Sequence, residues 1–145
     1  MEDIIQATLV VAGSAKGELL ISEEALSFWG GYDHESGEII DRRHPLAGKN
    51  AAGKIFGVPF SRGSSTTTAV LLEAVRAGKA PAAIITTRKD AFFALASIVA
   101  DEMYHAPIPI AVVPKVQFGR LKSGDWLELD EDGRIVVKGK SAQKK

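Results

Sequence analysis

Lys54-Ile55-Phe56-Gly57-Val58, then Ser61-Arg62-Gly63-Ser64-Ser65, then Thr66 to Ala77 is the run of sequence that decides the fold. Its first part is a short apolar run of the kind that forms a buried strand. The second part is a polar loop of small residues. In the third, Val70, Leu71, Ala74 and Val75 recur at helical spacing, and Gly78 supplies a stop signal. A strand therefore ends in a loop that opens directly onto a helix. Downstream the alternation repeats. Ala82 to Thr86 reads as a second buried strand, Asp90 to Tyr104 as a second helix with Phe93, Leu95, Ala96, Val99 and Met103 inward, and Pro107 to Val113 as a strand. Pro109 predicts that this last strand is an edge or an imperfect one. Two successive crossovers of this kind are expected to be right-handed.

The flanks are β-rich. Ala7 to Val11 and Glu18 to Ile21 read as strands around a turn at Gly13-Ser14-Ala15-Lys16-Gly17, and Glu38 to Asp41 as another brief strand. Gly124 to Asp130, Asp132-Gly133 and Arg134 to Val137 have the pattern of a hairpin. Gly139 to Lys145 is basic and polar and is expected to be disordered. The resulting picture is one layered α/β domain over residues 1–138 followed by a tail over 139–145.

Composition narrows the function classes. The chain has 145 residues, room for one domain with a sizeable core. Eighteen basic and 18 acidic residues leave no net charge, which argues against a nucleic-acid backbone as the main ligand. There is no cysteine, so neither a disulfide nor a cysteine-ligated iron–sulfur cluster can form on this chain. The longest apolar stretch, around Ala91 to Ala100, is too short for a bilayer. The acidic start shows no signal-peptide pattern. The reading is a cytoplasmic protein with no membrane contact.

The Arg62-Gly63-Ser64-Ser65-Thr66 loop is the segment best suited to chemistry. The first turn of a helix carries unpaired N–H groups and partial positive charge, which suits a carboxylate or phosphate. Gly63 lets a ligand approach the backbone, and Arg62 can add a bidentate anion contact. Helix capping by Ser and Thr explains the same residues equally well. The loop lacks the Gly-Lys-Ser/Thr ending of a phosphate-binding P-loop and is not a Gly-x-Ser-x-Gly elbow. His34, His44 and His105 are scattered without zinc-ligand spacing. Phe28 and Trp29, followed by Gly30-Gly31, fit a core position, a substrate wall or a docking surface.

Taken in order, Leu26-Ser27-Phe28-Trp29-Gly30-Gly31, Gly37 with Ile39-Ile40-Asp41, His44-Pro45-Leu46-x-Gly48, Gly53-Lys54-Ile55, Arg62-Gly63-Ser64-Ser65 and Gly78-x-Ala80-Pro81-Ala82-Ala83-Ile84 make the chain resemble the small subunit, or swivel domain, of the aconitase X family. The resemblance covers roughly residues 6 to 113. It implies a swivelling β/β/α fold that closes over a large subunit. By the same resemblance the iron or iron–sulfur centre sits on that large subunit and no cofactor on this chain. The implied reaction is dehydration of a hydroxylated small carboxylate. The first serine of the superfamily's Gly-Ser-Ser motif is the catalytic base, which corresponds here to Ser64. Arg62, Gly63, Ser65, Thr66, Phe28, Trp29 and Gly30 are then expected around the substrate. Where the superfamily motif continues with Arg this sequence has Thr66, and Thr67 replaces a glycine.

The Phe28-Trp29-Gly30-Gly31 and His44-Pro45-Leu46 forms resemble the bacterial branch that acts on cis-3-hydroxy-L-proline. A mevalonate 5-phosphate dehydratase small subunit is the alternative within the family. A non-catalytic binding module, with Ser64 and Ser65 only capping the helix, is the alternative from another class. A phosphocarrier swivel is disfavoured because the loop has no histidine. A self-sufficient serine enzyme is disfavoured because no base has a triad context.

Overall fold

The computed structural model describes residues 3–62 and 65–139, with Ser65 described by its backbone only. Among the described residues, ten strands and three helices follow in chain order: β1 (Asp3–Gln6), β2 (Thr8–Val11), β3 (Ala15–Ile21), β4 (Leu26–Ser27), β5 (Ile55–Gly57), β6 (Ser61–Arg62), α1 (Ser65–Arg76), β7 (Ala83–Thr86), α2 (Ala91–Tyr104), β8 (Ile110–Val112), α3 (Lys115–Phe118), β9 (Trp126–Leu129) and β10 (Arg134–Lys138). Eight strands form one sheet in the order β1-β10-β9-β3-β5-β7-β8-β2, and β4 pairs β6 separately.

One strand serves two kinds of sheet. Ala15 to Glu18 of β3 pair antiparallel with Leu129 to Trp126 of β9, while Leu19 to Ile21 pair parallel with Ile55 to Gly57 of β5. The parallel part continues through β7 and β8, the pattern of two strand–helix–strand units. At the other end β1, β10 and β9 are antiparallel. β1 and β2 lie at opposite ends of the strand order, yet only Ala7 separates them in sequence. The sheet must therefore curl until its two edges meet. The Ala7 amide donates to the Gly133 carbonyl at 2.8 Å, which carries the β1–β10 register to the point where the chain turns into β2.

Side chains alternate across the strands, so each face feeds its own core. Leu19, Ile55, Ala83, Ile85 and Ala111 point into the curl with Ile5, Leu127, Leu129 and Ile135, and Phe118 and Leu121 close it. Leu20, Phe56, Ile84 and Ile110 point the other way and meet Val70, Leu71 and Ala74 of α1 and Phe93 and Ala96 of α2. This is a β/β/α layering.

The outer core is organised by aromatic rings. Phe28 stacks on Tyr32 at 5.3 Å between centroids and meets Phe93 edge-on at 5.5 Å and Phe56 at 6.2 Å. The Tyr32 hydroxyl donates to the Lys79 carbonyl at 2.7 Å. Burial pushes the Tyr32 phenol well above its ordinary range.

Several local expectations change. The turn after β2 is shorter than the sequence suggests, because β3 already begins at Ala15. Glu38 to Asp41 makes only single bridges, Tyr32 to Ile39 and Glu38 to Asn50, with no strand. β8 is the imperfect strand of the two alternatives and not an edge: it lies between β7 and β2, its register with β2 shifts between Leu9 and Val11, and Pro109 precedes it, its carbonyl accepting from the Ile84 amide. On α2 the inward face is Phe93, Ala96, Ser97 and Ala100, whereas Leu95 is 48% and Met103 60% exposed. The helix is apolar almost all round, and apart from Phe93 the residues it buries are small. Asp90 caps the start of α2, and His105 ends it in the left-handed conformation, φ 53°. β1, β4, β6 and α3 are elements the sequence reading leaves out; Ser61 and Arg62, expected in the loop, form β6 by pairing with Leu26 and Ser27. Of the expected basic tail, residues 140–145 lie outside the described residues.

Two consequences can be measured by chemical denaturation. Ser97 is fully buried, and its hydroxyl both donates to the Ile108 carbonyl at 2.6 Å and accepts from the Ile108 amide at 2.8 Å. Ser97→Ala leaves both backbone groups without that partner and is expected to cost about 1–3 kcal/mol. Leu95→Ala, on the exposed face, is expected to stay within about 0.5 kcal/mol of the parent. Tyr32→Phe removes one buried hydrogen bond and is expected to cost about 1 kcal/mol at pH 8. The unfolded phenol ionises near pH 10 while the folded one holds its proton, so the parent protein loses stability above about pH 10 through this group. The gap between parent and Tyr32→Phe should therefore narrow between about pH 8 and pH 11. A gap that stays constant would remove Tyr32 as the source.

Candidate functional site

The site is built where β5 runs out. From Gly57 the chain passes through Val58, Pro59 and Phe60 into β6, whose Ser61 and Arg62 pair parallel with Leu26 and Ser27 of β4. Arg62 is exposed and α1 begins at Ser65, so the expected motif lies between a two-residue strand and the first turn of a 12-residue helix. Gly63 and Ser64 lie outside the described residues, as does the Ser65 side chain. Thr66 is half-buried in the first helical turn. Behind it Thr67 is fully buried and its hydroxyl has no hydrogen-bond partner among the described residues, while the Thr68 hydroxyl donates to the Phe92 carbonyl at 3.0 Å.

The segment before the motif is held by the turn after β7. The Pro59 carbonyl accepts from the Thr87 amide at 3.1 Å and from the Thr87 hydroxyl at 3.2 Å. The Arg88 guanidinium lies 3.9 Å from the centre of the Phe60 ring, a cation–π contact. Asp90, only 8% exposed, accepts from the Phe92 and Phe93 amides through Oδ1 and from the Ser61 amide and hydroxyl through Oδ2. The sequence reading places Asp90 at the start of α2. Its bond to Ser61, 29 residues upstream, has no sequence signal.

The β4–β6 pairing also brings the aromatic motif to this end. Ser27 is the register partner of Arg62, and the turn Phe28 to Tyr32 follows directly, closed by bonds from the Gly31 and Tyr32 amides to the Phe28 carbonyl. Gly31 is required there, because a Cβ would run into the Ser27 carbonyl oxygen. The turn projects Trp29, 71% exposed, with Gly30 beside it at φ 79°. Phe28 was expected against the substrate. Its ring is completely enclosed among Tyr32, Phe56 and Phe93, so it belongs to the core, and its contribution is to hold the turn that presents Trp29.

A shallow depression of about 340 Å³, lined by Ser61, Arg88, Lys89, Asp90, Ala91 and Phe92, lies beside β6. Arg88 and Lys89 are exposed at this depression and Arg62 is exposed on the adjoining β6, so three cations at this end of the domain favour an anion. A larger open depression, about 490 Å³, is lined instead by Ser14 to Lys16, Glu128 to Asp130, Arg134 and Val136 on the hairpin side. It holds neither Ser61 nor Arg62, so its size gives no reason to move the candidate site.

The histidines have structural roles or none near the loop. His44 is buried; its Nδ1 accepts from the Leu46 amide, which leaves Nε2–H to donate to the Glu24 carbonyl at 3.2 Å. Asp33, beside His34, is held below the ordinary carboxylate range chiefly by the Glu35 amide. Among the described residues no three His, Asp or Glu side chains converge to hold a metal ion. With no cysteine in the sequence, no cysteine-ligated iron–sulfur cluster can form on this chain. Among the described residues no helix is long and apolar enough to cross a membrane.

Comparison with known proteins agrees with this architecture. The family model described as aconitase X swivel domain matches residues 4–138. A cis-3-hydroxy-L-proline dehydratase from Pseudomonas aeruginosa is 46% identical over 134 residues, 92% of this chain but 23% of that protein. The chain thus spans about a quarter of the length of that relative. A phosphomevalonate dehydratase small subunit from Thermococcus gammatolerans is 34% identical over 129 residues, covering 88% of this chain and 92% of its own. The crystal structure of aconitase X from Thermococcus kodakaraensis, in its holo-form, superposes with a TM-score of 0.82 at 31% identity, over 93% of this chain and 98% of that one.

Proposed function

The chain belongs to the aconitase X swivel domain family, and on that footing we propose that it is the small subunit of a hydro-lyase that dehydrates cis-3-hydroxy-L-proline together with a larger subunit. The observation that carries the substrate is the 46% identity over nearly the whole chain to a dehydratase of that name, against 34% to a phosphomevalonate dehydratase small subunit. Relatives named as small subunits imply a larger partner, and a dehydratase about four times the length of this chain is consistent with the remainder being supplied by it. The same proposal places the pair in the cytoplasm, where small hydroxy acids are turned over.

In this reading Ser64 is the base. It precedes the first residue of α1 in sequence, and the partial positive charge of a helix N-terminus favours an anionic oxygen beside it. The Ser64 oxygen takes the proton from the carbon that bears the carboxylate. Hydroxide leaves the neighbouring carbon, and the electron pair of the broken C–H bond becomes the carbon–carbon double bond. The proton on Ser64 then joins the departing hydroxide as water, which restores the base. Arg62, Ser65 and Thr66 hold the carboxylate. Trp29 and Gly30 form a wall that closes when the subunit swings onto its partner and excludes water. An iron or iron–sulfur centre belongs to the larger subunit in this proposal. It would supply a Lewis acid for the leaving hydroxyl.

The test is a reconstituted complex assayed without oxygen on cis-3-hydroxy-L-proline and on mevalonate 5-phosphate. Turnover of the first only when both chains are present is the expected result. Ser64→Ala is expected to assemble normally and to lose at least about 100-fold in kcat, the scale of a lost general base. Parental turnover by that variant would leave Ser64 a helix cap and turn the chain into a non-catalytic module. Turnover of mevalonate 5-phosphate alone would move the chain to the other branch.

A further inference from the structure

We propose that Asp90 is a positioning residue for the Ser64 loop, fastening the strand before the loop to the helix opposite it. The inference rests on the reading of Ser64 as the base and adds a residue that acts through it.

Asp90 splits its carboxylate between two elements. Oδ1 accepts from the Phe92 amide at 3.0 Å and the Phe93 amide at 3.2 Å, an ordinary N-cap of α2. Oδ2 faces the other way and accepts from the Ser61 amide at 2.7 Å and the Ser61 hydroxyl at 2.8 Å. Capping needs only one of these oxygens. The second reaches 29 residues back along the chain, to the residue just before Arg62 and three before Ser64. The group is 8% exposed, so water does little to replace the Ser61 bonds, and hydrogen bonds to a charged acceptor are the stronger kind.

The position of the fastening matters because the Thr87 and Arg88 contacts hold Pro59 and Phe60, whereas Asp90 holds β6 itself, one residue nearer the loop. That strand is two residues long, with a two-residue partner. On the loop's far side, Thr68 ties α1 to the same first turn of α2 through the Phe92 carbonyl. Both ends of the loop are therefore referred to one rigid point, the Asp90–Phe93 turn. A base must sit within about 0.5 Å of its productive place, and a displacement of about 1 Å costs on the order of 100-fold.

Asp90→Asn separates the two roles. Asparagine caps a helix as well as aspartate does, so Oδ1 keeps the Phe92 and Phe93 amides. Its Nδ2 meets the Ser61 amide donor to donor, and that bond is lost. Ser61→Ala removes the hydroxyl bond from the other side and keeps the amide bond. Amide hydrogen exchange on the full chain is the first readout. Asp90→Asn is expected to speed exchange at Ser61 and at Ala69–Leu71, the first amides of α1 with a helical partner, by at least about tenfold, with Ala94 to Ala100 of α2 unchanged. Unchanged exchange at Ser61 and Ala69–Leu71 overturns the proposal.

The second readout is turnover of cis-3-hydroxy-L-proline by the reconstituted complex. Asp90→Asn is expected to lower kcat on the order of 10–100-fold with KM nearly unchanged. Ser61→Ala should lower it less, and the double variant no more than Asp90→Asn alone. If Asp90→Asn does not fold, Ser61→Ala decides, and parental exchange or kcat in that variant overturns the proposal. Ser64→Ala is run beside them. An inactive Ser64→Ala with a fully active Asp90→Asn defeats the positioning role alone. An active Ser64→Ala defeats the base assignment itself.

Discussion

The domain depends on β3 pairing differently along its length. Its first four residues accept an antiparallel neighbour and its last three a parallel one. Antiparallel strands can be joined by tight turns, whereas parallel strands need crossovers. The switch within β3 is therefore what lets a hairpin-built half and a helix-crossover half share one sheet. Because β3 alternates its side chains, Leu19 and Leu20 commit to opposite cores and fix the layer order of everything that follows. A slip of one residue would exchange the two cores.

The site inherits its position from that arrangement. β5, β7 and the helices after them place β6, the Arg88–Asp90 turn and the Trp29 turn at one end of the sheet. What fixes them is mostly buried polar bonding and aromatic packing rather than the extended ladder. Phe28 and Tyr32 anchor one wall, Asp90 and Thr87 the other. The chemistry proposed for this end needs an open face, since the leaving group is to be handled by a larger chain. The exposure of Trp29 and Arg62 is consistent with that requirement.

Local patterns were legible in the sequence and distant ones were not. Val70, Leu71 and Ala74 announce the buried face of α1 because their period is set by the helix itself. The C-terminal hairpin announces itself through Asp132-Gly133 and the alternation on either side. α2 defeats the same logic: with apolar residues on every side, periodicity cannot choose a face, and close packing chose Ala96 and Ala100 over Leu95. β1 exists only because β10 pairs with it from the far end of the chain. In the candidate site, the loop and its serines stand out by composition. The second oxygen of Asp90 does not, since its partner is fixed only once β6 and α2 are brought together.

Pairing of Asp3 with Val137 also sets an order of events during synthesis. On the ribosome the first strand emerges with no partner until β10 has followed it out. The section from β3 to β8 contains its own parallel ladders and both long helices, so it can collapse while the C-terminal hairpin is still being made. Pairing of β1 with β10 is then the last event, and its Asp3–Val137 pair spans the greatest separation in sequence among the strand pairings, the kind of contact that slows folding. Until then both outer edges of the sheet stand open to neighbouring nascent chains, which makes the waiting first strand the segment most exposed to misassembly.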